Sequence, residues 1–436
     1  MSEPPASRRN AFAKGLALLA SGAAIAFCGT FALLHFAHGA DSSAELARFG
    51  RAYATVRADY VEPPGDQQLV EGALSGMLGD LDPHSSYFDP RTFAAMQVKT
   101  EGQYGGLGLV IGVEDGLVTV VSPIEDTPAS RAGLKSGDRI LSIDGKQTTG
   151  LKLDDVQDKL RGAAGTKVVL SVMRQGLHDP FDVKLTREVI AVEGVTHKRE
   201  GDLGYIKIPA FNEHTDEGVR RAVAALRKEI GPRLKGYILD LRDDGGGLLD
   251  QAVAVSDDFL DGGEIVSIRG RHPEDTQRFD AKPGDVTDGK PIVILVNGGT
   301  ASASEIVAGA LQDHRRARVE GSLTFGKGSV QTVIPLDDGK AGALHITTAR
   351  YYTPSGRSIQ TTGIVPDVAV ADSNTADTEA LQSLIGREAD LPHHLVAEGT
   401  PIKSDVASII RPDPKKKYAD FQLTYAEQML RGPTRR

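Results

Sequence analysis

Two short stretches of the chain hold residue types whose spacing could support covalent chemistry. In Val296-Asn-Gly-Gly-Thr-Ala-Ser-Ala-Ser-Glu-Ile-Val307 an apolar strand passes through a glycine turn into a helix. Ser302 then stands where the first amides of the helix point outward and can stabilise an oxyanion. The same residues spell a capping box, Ser302 with Glu305 three positions on, so by themselves they read first as a plain helix start. In Thr324-Phe-Gly-Lys-Gly-Ser-Val-Gln331, Lys327 lies between two glycines at the edge of an alternating strand. A serine hydroxyl is a weak nucleophile, and a lysine activates it only when unprotonated, which requires desolvation. Phe325 and Val330 are apolar neighbours that can supply cover, and Gln331, four residues on, shares a face with Lys327 in either strand or helix. Alone, Lys327 reads as a solvated lysine in a glycine turn. With both stretches in one core, the reading becomes acyl transfer, with Ser302 as nucleophile, Lys327 as general base and Gln331 orienting the amine.

A third stretch, Tyr237-Ile-Leu-Asp-Leu-Arg-Asp-Asp-Gly-Gly-Gly-Leu-Leu249, ends an apolar strand in acids and three glycines before a helix. Its freely available amides suggest an oxyanion hole formed by Gly246 and by Ala303, just after the nucleophile. The other reading is a sharp turn with Asp243 or Asp244 as the cap of the next helix. Upstream, Tyr104-Gly-Gly-Leu-Gly-Leu-Val-Ile111 leaves backbone amides unobstructed beside a strand, as capture of a terminal carboxylate requires, and the strand can accept an added peptide. Ala132-Gly-Leu, Gly137-Asp-Arg-Ile and a helix over 153–160 follow in the order of a PDZ domain, which this segment resembles. The resemblance implies that Gly106, Leu107, Gly108 and Leu109 form the carboxylate-binding loop.

These sites need elements to position them. Periodicity of three and four between Leu46 and Val61 predicts a helix ending near Pro63-Pro64-Gly65, and Leu69 to Leu78 predict a second. Short alternating strands fill 105–188, and strands alternate with helices from 204 to 313, the pattern of an α/β core. After Asp367 no strand is expected, only a polar linker and a helix over 418–430. The fold class is multidomain α/β: a signal anchor (1–40), an N-terminal helical segment (41–95), a β-rich PDZ domain (96–190), an α/β core resembling that of a serine peptidase (191–370) and a C-terminal linker and helix (371–436).

Composition narrows the function. A net charge of −9 over 436 residues, with no Trp, gives no footprint for nucleic acid. The single cysteine, Cys28, excludes an internal disulfide and any Cys-rich metal site, and the eleven histidines have no HExxH spacing. No metal or organic cofactor is expected, and His314 and His345 read as surface residues. Arg8, Arg9 and Lys14 precede an uncharged run from Gly15 to Leu34. This is an export signal whose length suits a retained membrane anchor, with cleavage after Gly39 as the alternative. The remainder is expected to be periplasmic or otherwise extracytoplasmic, tethered to the inner membrane.

Together the motifs resemble those of the carboxy-terminal processing peptidases, or tail-specific serine proteases, with an inserted PDZ domain, from about Leu46 to Leu430. The motifs are Asp82-Pro-His-Ser-Ser-Tyr87, the glycine-rich strand end after Asp240, Ser302-Ala-Ser-Glu305, Phe325-Gly-Lys-Gly328 with Gln331, Ala349-Arg-Tyr-Tyr-Thr-Pro-Ser-Gly356 and Gly363-Ile-Val-Pro-Asp367. The family's serine, lysine and glutamine fall on Ser302, Lys327 and Gln331. One departure is Asp243-Asp244-Gly245, where members commonly carry two asparagines and a proline. The resemblance further implies protein or peptide substrates with exposed C-termini, a role for Arg161 in linking PDZ occupancy to the active site, a homo-oligomer, and precedent for an adaptor protein. A PDZ scaffold that binds peptides without cleaving them is the rival reading.

Overall fold

The computed structural model describes residues 43–432, apart from 115, 125, 178, 192–193, 372–385, 399–408 and 414. The expected anchor over 1–40 lies outside the described residues, among which no helix is long and apolar enough to cross a membrane. The chain divides into two compact units, residues 1–73 and 74–436. In the first, α1 (Ser43–Asp59) leads through Pro63-Pro64-Gly65 into α2 (Asp66–Gly79), which continues past the division. Tyr53 donates to Asp66 across the turn at 2.9 Å, while Leu46, Phe49, Val56 and Tyr60 stay exposed.

The second unit begins with β1 (Ser86–Phe88) and α3 (Pro90–Glu101). Asp89 caps α3 by accepting from Thr92 N, Pro90 occupies the first turn, and left-handed Gly102 ends the helix. There follow β2 (Gln103–Gly106), β3 (Leu109–Glu114), β4 (Leu117–Pro123), α4 (Pro128–Arg131), β5 (Arg139–Ile143), β6 (Lys146–Gln147), α5 (Leu153–Leu160), β7 (Lys167–Met173), β8 (Phe181–Thr186) and β9 (Glu188–Ala191). They form an antiparallel sheet in the order β3-β4-β5-β7-β8, with β6 on β5, and a separate β2-β9 pair. Alternate residues Val168, Leu170 and Val172 of β7 face inward with Ile140, Ile143 and Val156, so period two and one helix face close this core. Buried Arg187 donates to the carbonyls of Lys159 and Leu160, satisfying the last turn of α5.

The rest comprises β10 (Thr196–Glu200), β11 (Leu203–Lys207), α6 (Thr215–Ile230), β12 (Gly236–Asp240), α7 (Leu249–Phe259), β13 (Gly263–Gly270), β14 (Gln277–Ala281), β15 (Ile292–Val296), α8 (Ala303–Asp313), β16 (Ala317–Gly321), β17 (Ser329–Pro335), β18 (Ala343–Tyr352), β19 (Val368–Ala369) and α9 (Phe421–Arg431). The main sheet runs β10-β11-β12-β15-β16-β19, parallel from β11 onward. Its inner strands β11, β12 and β15 send alternate side chains to two cores. Ile206, Leu239, Ile294 and Val296 join the core built with α6, α7 and α8, and Tyr205, Ile238, Val293 and Leu295 join a smaller one with Ala426 of α9. Arg242 locks α9 down by bridging Asp240 and Asp420.

Two features depart from expectation. The segment after Asp367 does contain a strand: β19 pairs with β16, and Val370 bridges Ile410, which covers an edge that would otherwise lie open. A second, antiparallel sheet also forms, β1-β18-β13-β14 with β17 on β18. Since β1 precedes the β-rich module in sequence yet pairs with β18, that module is inserted into the core, as expected.

Candidate active site

The loop after β15 is clasped to the loop after β12 before it enters α8. Thr300 donates to Leu241 O at 2.8 Å, Ala301 N to Asp244 O at 2.9 Å, and Asn297 exchanges bonds with Asp243. The clasp delivers Ser302 to the N-cap of α8 with φ 60° and ψ −116°. A side chain in that region costs about 1–3 kcal/mol, and such strain persists only where the surroundings impose it. Here Glu305 imposes it, and its capping-box geometry does more than start a helix. The fully buried carboxylate accepts from Ser302 N (2.9 Å), Gly326 N (2.8 Å), Lys327 N (2.9 Å) and the Thr324 hydroxyl. Oxygen Oε2 takes both the Ser302 and the Lys327 amides, so one atom joins the two stretches. Burial raises the Glu305 pKa to about 7, with these donors opposing the rise.

Lys327 enters from the loop before β17, and its Nζ donates to Gln331 Oε1, so these two side chains meet. Desolvation lowers the Lys327 pKa, and the carboxylates of Glu388, Glu305 and Asp82 pull it back up. The direction is the one a lysine base needs. Gln331 is aimed by an irregularity in the β17–β18 register, where Val330 faces Ala349 but Gln331 faces Thr347. Val330 packs on the main core.

The serine and lysine side chains are not bonded to each other. Ser302 Oγ lies 2.8 Å from the hydroxyl of Tyr351, a fully enclosed phenol whose pKa burial raises well above the usual range. Among the described residues no hydrogen bond joins Ser302 Oγ to Lys327 Nζ.

The glycine loop packs where the oxyanion reading needs it. A Cβ on Gly246 (φ 92°) would fall 2.8 Å from both Ala303 N and Ser302 Cβ, and one on Gly247 (φ 150°) 2.0 Å from Phe211 O, so only glycine fits either place. Ala303 N is a first-turn amide of the kind a helix leaves without an internal partner. Gly246 N, however, donates to Asp244 Oδ1 at 2.8 Å. That Asx turn occupies the amide expected to face an oxyanion. Neither Asp243 nor Asp244 caps the next helix, whose N-cap is Leu248. Asp244 is fully buried, has no partner for Oδ2, and is raised by desolvation to about 7.

Around Lys327 stand residues to which the sequence assigned no role, some of them, such as Asp82 and His84, inside a motif and others, such as Glu388 and Gln360, outside any. Asp82 accepts from Ser85 and Thr347, and Thr347 in turn from Gln331. His84 Nε2 lies 2.7 Å from Glu388 Oε2, whose other oxygen accepts from Gln360, and Gln360 accepts from Gly328 N. His345 is no ordinary surface residue: it is half-buried, stacks on Phe88 at 4.8 Å, and has its pKa lowered by burial and then by Lys327. Tyr351 and Thr347 had no sequence signal beyond lying in or beside Ala349-Arg-Tyr-Tyr.

In the β-rich module, Gly106, Leu107, Gly108 and Leu109 line a groove with Tyr104 and Ile111, opposite Gln157, Leu160 and Arg161. Its open side is β3, an edge strand. Arg161 lies over the Tyr104 ring at 5.0 Å, and among the described residues its side chain makes no hydrogen bond or ion pair with the core. No cluster able to hold a metal ion occurs among the described residues.

Residues 202–370 match the family described as Peptidase family S41, residues 119–174 match PDZ domain, and residues 33–92 match Activating protease CtpB N-terminal domain. The carboxy-terminal-processing protease of Bartonella bacilliformis is 50% identical over 390 residues, 89% of this chain and 88% of that one. The carboxy-terminal processing protease CtpA of Bacillus subtilis is 34% identical over 355 residues, covering 81% and 74%. A solved structure, the photosystem II D1 C-terminal processing protease, is 32% identical and covers 78% of this chain and 91% of its own, with a TM-score of 0.43.

Proposed function

Because this chain belongs to the carboxy-terminal processing proteases of peptidase family S41, a serine-type family, we propose that it hydrolyses peptide bonds through an acyl-enzyme on Ser302, with Lys327 as the general base. The observation that carries the assignment is the shared oxygen of Glu305, which fixes the backbones of Ser302 and Lys327 to one atom. The desolvation of Lys327 supports it, because only the neutral amine can take the hydroxyl proton.

Before reaction, Ser302 Oγ exchanges Tyr351 for Lys327. The hydroxyl proton passes to Nζ as Oγ attacks the substrate carbonyl, and the ammonium then protonates the leaving amine. Gln331 Oε1 accepts from the amine throughout. Ala303 N is one donor to the oxyanion. Gly246 N becomes the second once Asp244 Oδ1 releases it. The substrate's C-terminal end adds to the β3 edge, its carboxylate against Gly106 to Leu109.

We place this chemistry outside the cytoplasm, a reading supported by the basic residues before the apolar run at 15–34. Alkaline washing of fractionated membranes tests it, and recovery in the soluble cytoplasmic fraction contradicts it. The catalytic assignment is tested by Ser302→Ala and Lys327→Ala with an unfolded protein bearing an apolar C-terminus. Each variant is expected to lose cleavage, and either one cutting at the wild-type rate refutes the dyad.

A further inference from the structure

We propose that Asp82 is a positioning residue for Lys327, acting through Thr347 and Gln331 to decide which end of the Gln331 amide faces the lysine. The proposal rests on the reading of Lys327 as the base. An ionised carboxylate can only accept, and burial of Asp82 is outweighed by hydrogen bonds from Ser85, His84 and Thr347 that keep its carboxyl below the usual range. Its Oδ1 accepts from His84 N at 2.9 Å, Ser85 N at 3.0 Å and Thr347 Oγ1 at 3.1 Å, and its Oδ2 from Ser85 Oγ at 2.7 Å.

Each bond fixes the direction of the next. With its one hydrogen given to Asp82, Thr347 offers only a lone pair, which takes Gln331 Nε2 at 3.0 Å. Ser85 Oγ, its hydrogen likewise committed, accepts from Thr347 N at 3.1 Å and holds that residue in place. The other Nε2 contact, Ser329 Oγ at 3.0 Å, cannot set the direction, because a free hydroxyl donates or accepts as required. With the NH₂ end turned to Thr347, Oε1 faces Lys327 Nζ.

The direction has a chemical consequence. A neutral amine has two hydrogens and one lone pair. An amide oxygen takes a hydrogen and leaves the lone pair for the proton of Ser302. A reversed amide would donate an N–H into that lone pair, blocking the base and disfavouring the ammonium that must follow. The carboxylates facing Lys327 are Glu388, Glu305 and Asp82, and the neighbouring His345 and His84 complete the titratable surroundings.

The test compares Thr347→Val, Thr347→Ser and Asp82→Asn in the full chain. Thr347→Val is expected to lower kcat about ten-fold, the scale of one lost buried hydrogen bond, with KM and PDZ-peptide affinity unchanged. Thr347→Ser should restore the rate. In a Gln331→Glu background, where a carboxylate has no wrong end, the cost of Thr347→Val should vanish. Asp82→Asn removes an anion that raises the Lys327 pKa, so the acid limb of the rate profile should move to lower pH. Thr347→Val retaining its rate, or costing as much in the Gln331→Glu background, overturns the proposal. Asp82→Asn keeping the wild-type kcat does the same, and decides alone if Thr347→Val does not fold. Activity surviving in Lys327→Ala would instead remove the base itself, an outcome separable from all of these.

Discussion

The PDZ groove is framed by neighbours in sequence, Gly106 to Leu109 on one wall and Gln157 to Arg161 on the other, over an apolar core. The peptidase site draws on segments around residues 82, 244, 302, 327, 351 and 388, joined through the carboxylates of Asp82, Glu305 and Glu388, the backbone carbonyl of Asp244 and the Ser302 hydroxyl. The groove thus offers backbone and apolar surface whose energetics depend little on protonation. In the peptidase site the Glu305 and Asp82 carboxylates each serve several donors, so a single deletion there strands several partners and pH enters its stability directly.

Removing Glu305 should separate the two regions most. Glu305→Ala leaves the amides of Ser302, Gly326 and Lys327 and the Thr324 hydroxyl without their acceptor, at a cost of about 4 kcal/mol in core stability. Urea unfolding measures that loss, while peptide binding to the groove should be unchanged. An equal fall in both would mean that the regions are not independent.

Asp244→Asn probes the pH side of the contrast. The folded-state pKa of Asp244 is raised to about 7, so the folded chain holds this proton after the unfolded chain has lost it. Stability present below about pH 4 is therefore lost as pH rises toward 7, by up to about 4 kcal/mol. The variant should match the wild type near pH 4 and gain steadily above it, levelling off beyond pH 7. Unfolding midpoints across that range give the answer, and a gain independent of pH would contradict the origin assigned to it.

The complementary lesion is Gly108→Ala. At φ 75°, with Thr127 Cβ 2.2 Å from the added carbon, it deforms the loop proposed to hold the substrate carboxylate. Peptide affinity should fall about 10- to 100-fold, whereas serine-directed labelling of the core, which bypasses the groove, should not change. Calorimetry and labelling together distinguish this from general unfolding. The smallest effect concerns Tyr351→Phe, which removes the rival partner of Ser302 Oγ. Labelling should quicken about 2- to 10-fold, the worth of one neutral hydrogen bond, and slower labelling would make the phenol a participant rather than a competitor.

The same contrast explains what the sequence disclosed. Elements set by local periodicity were legible: the helix after Ser302, the strands at 236–240 and 292–296, and the small β-rich module with its glycine loop. Ser302, Lys327 and Gln331 stood out because glycines and a four-residue spacing mark them locally. The Asp82 motif was visible, but its partner Thr347 lies 265 residues away, a distance that no local pattern spans. The second sheet escaped for the same reason, since β1 finds β18 across the inserted module. At Gly246 the glycines correctly signalled close approach to Ser302, but the Asx turn that occupies the amide depends on Asp244, a residue also compatible with a plain cap.

The most direct test is the rate at which a serine-directed phosphonate labels the protein as a function of pH, with the modified residue located by mass spectrometry. Label is expected on Ser302 alone, at a rate that rises with pH through the lowered pKa of Lys327, and that rise should disappear in Lys327→Ala. Label on another serine, or the same pH dependence without Lys327, would contradict the account.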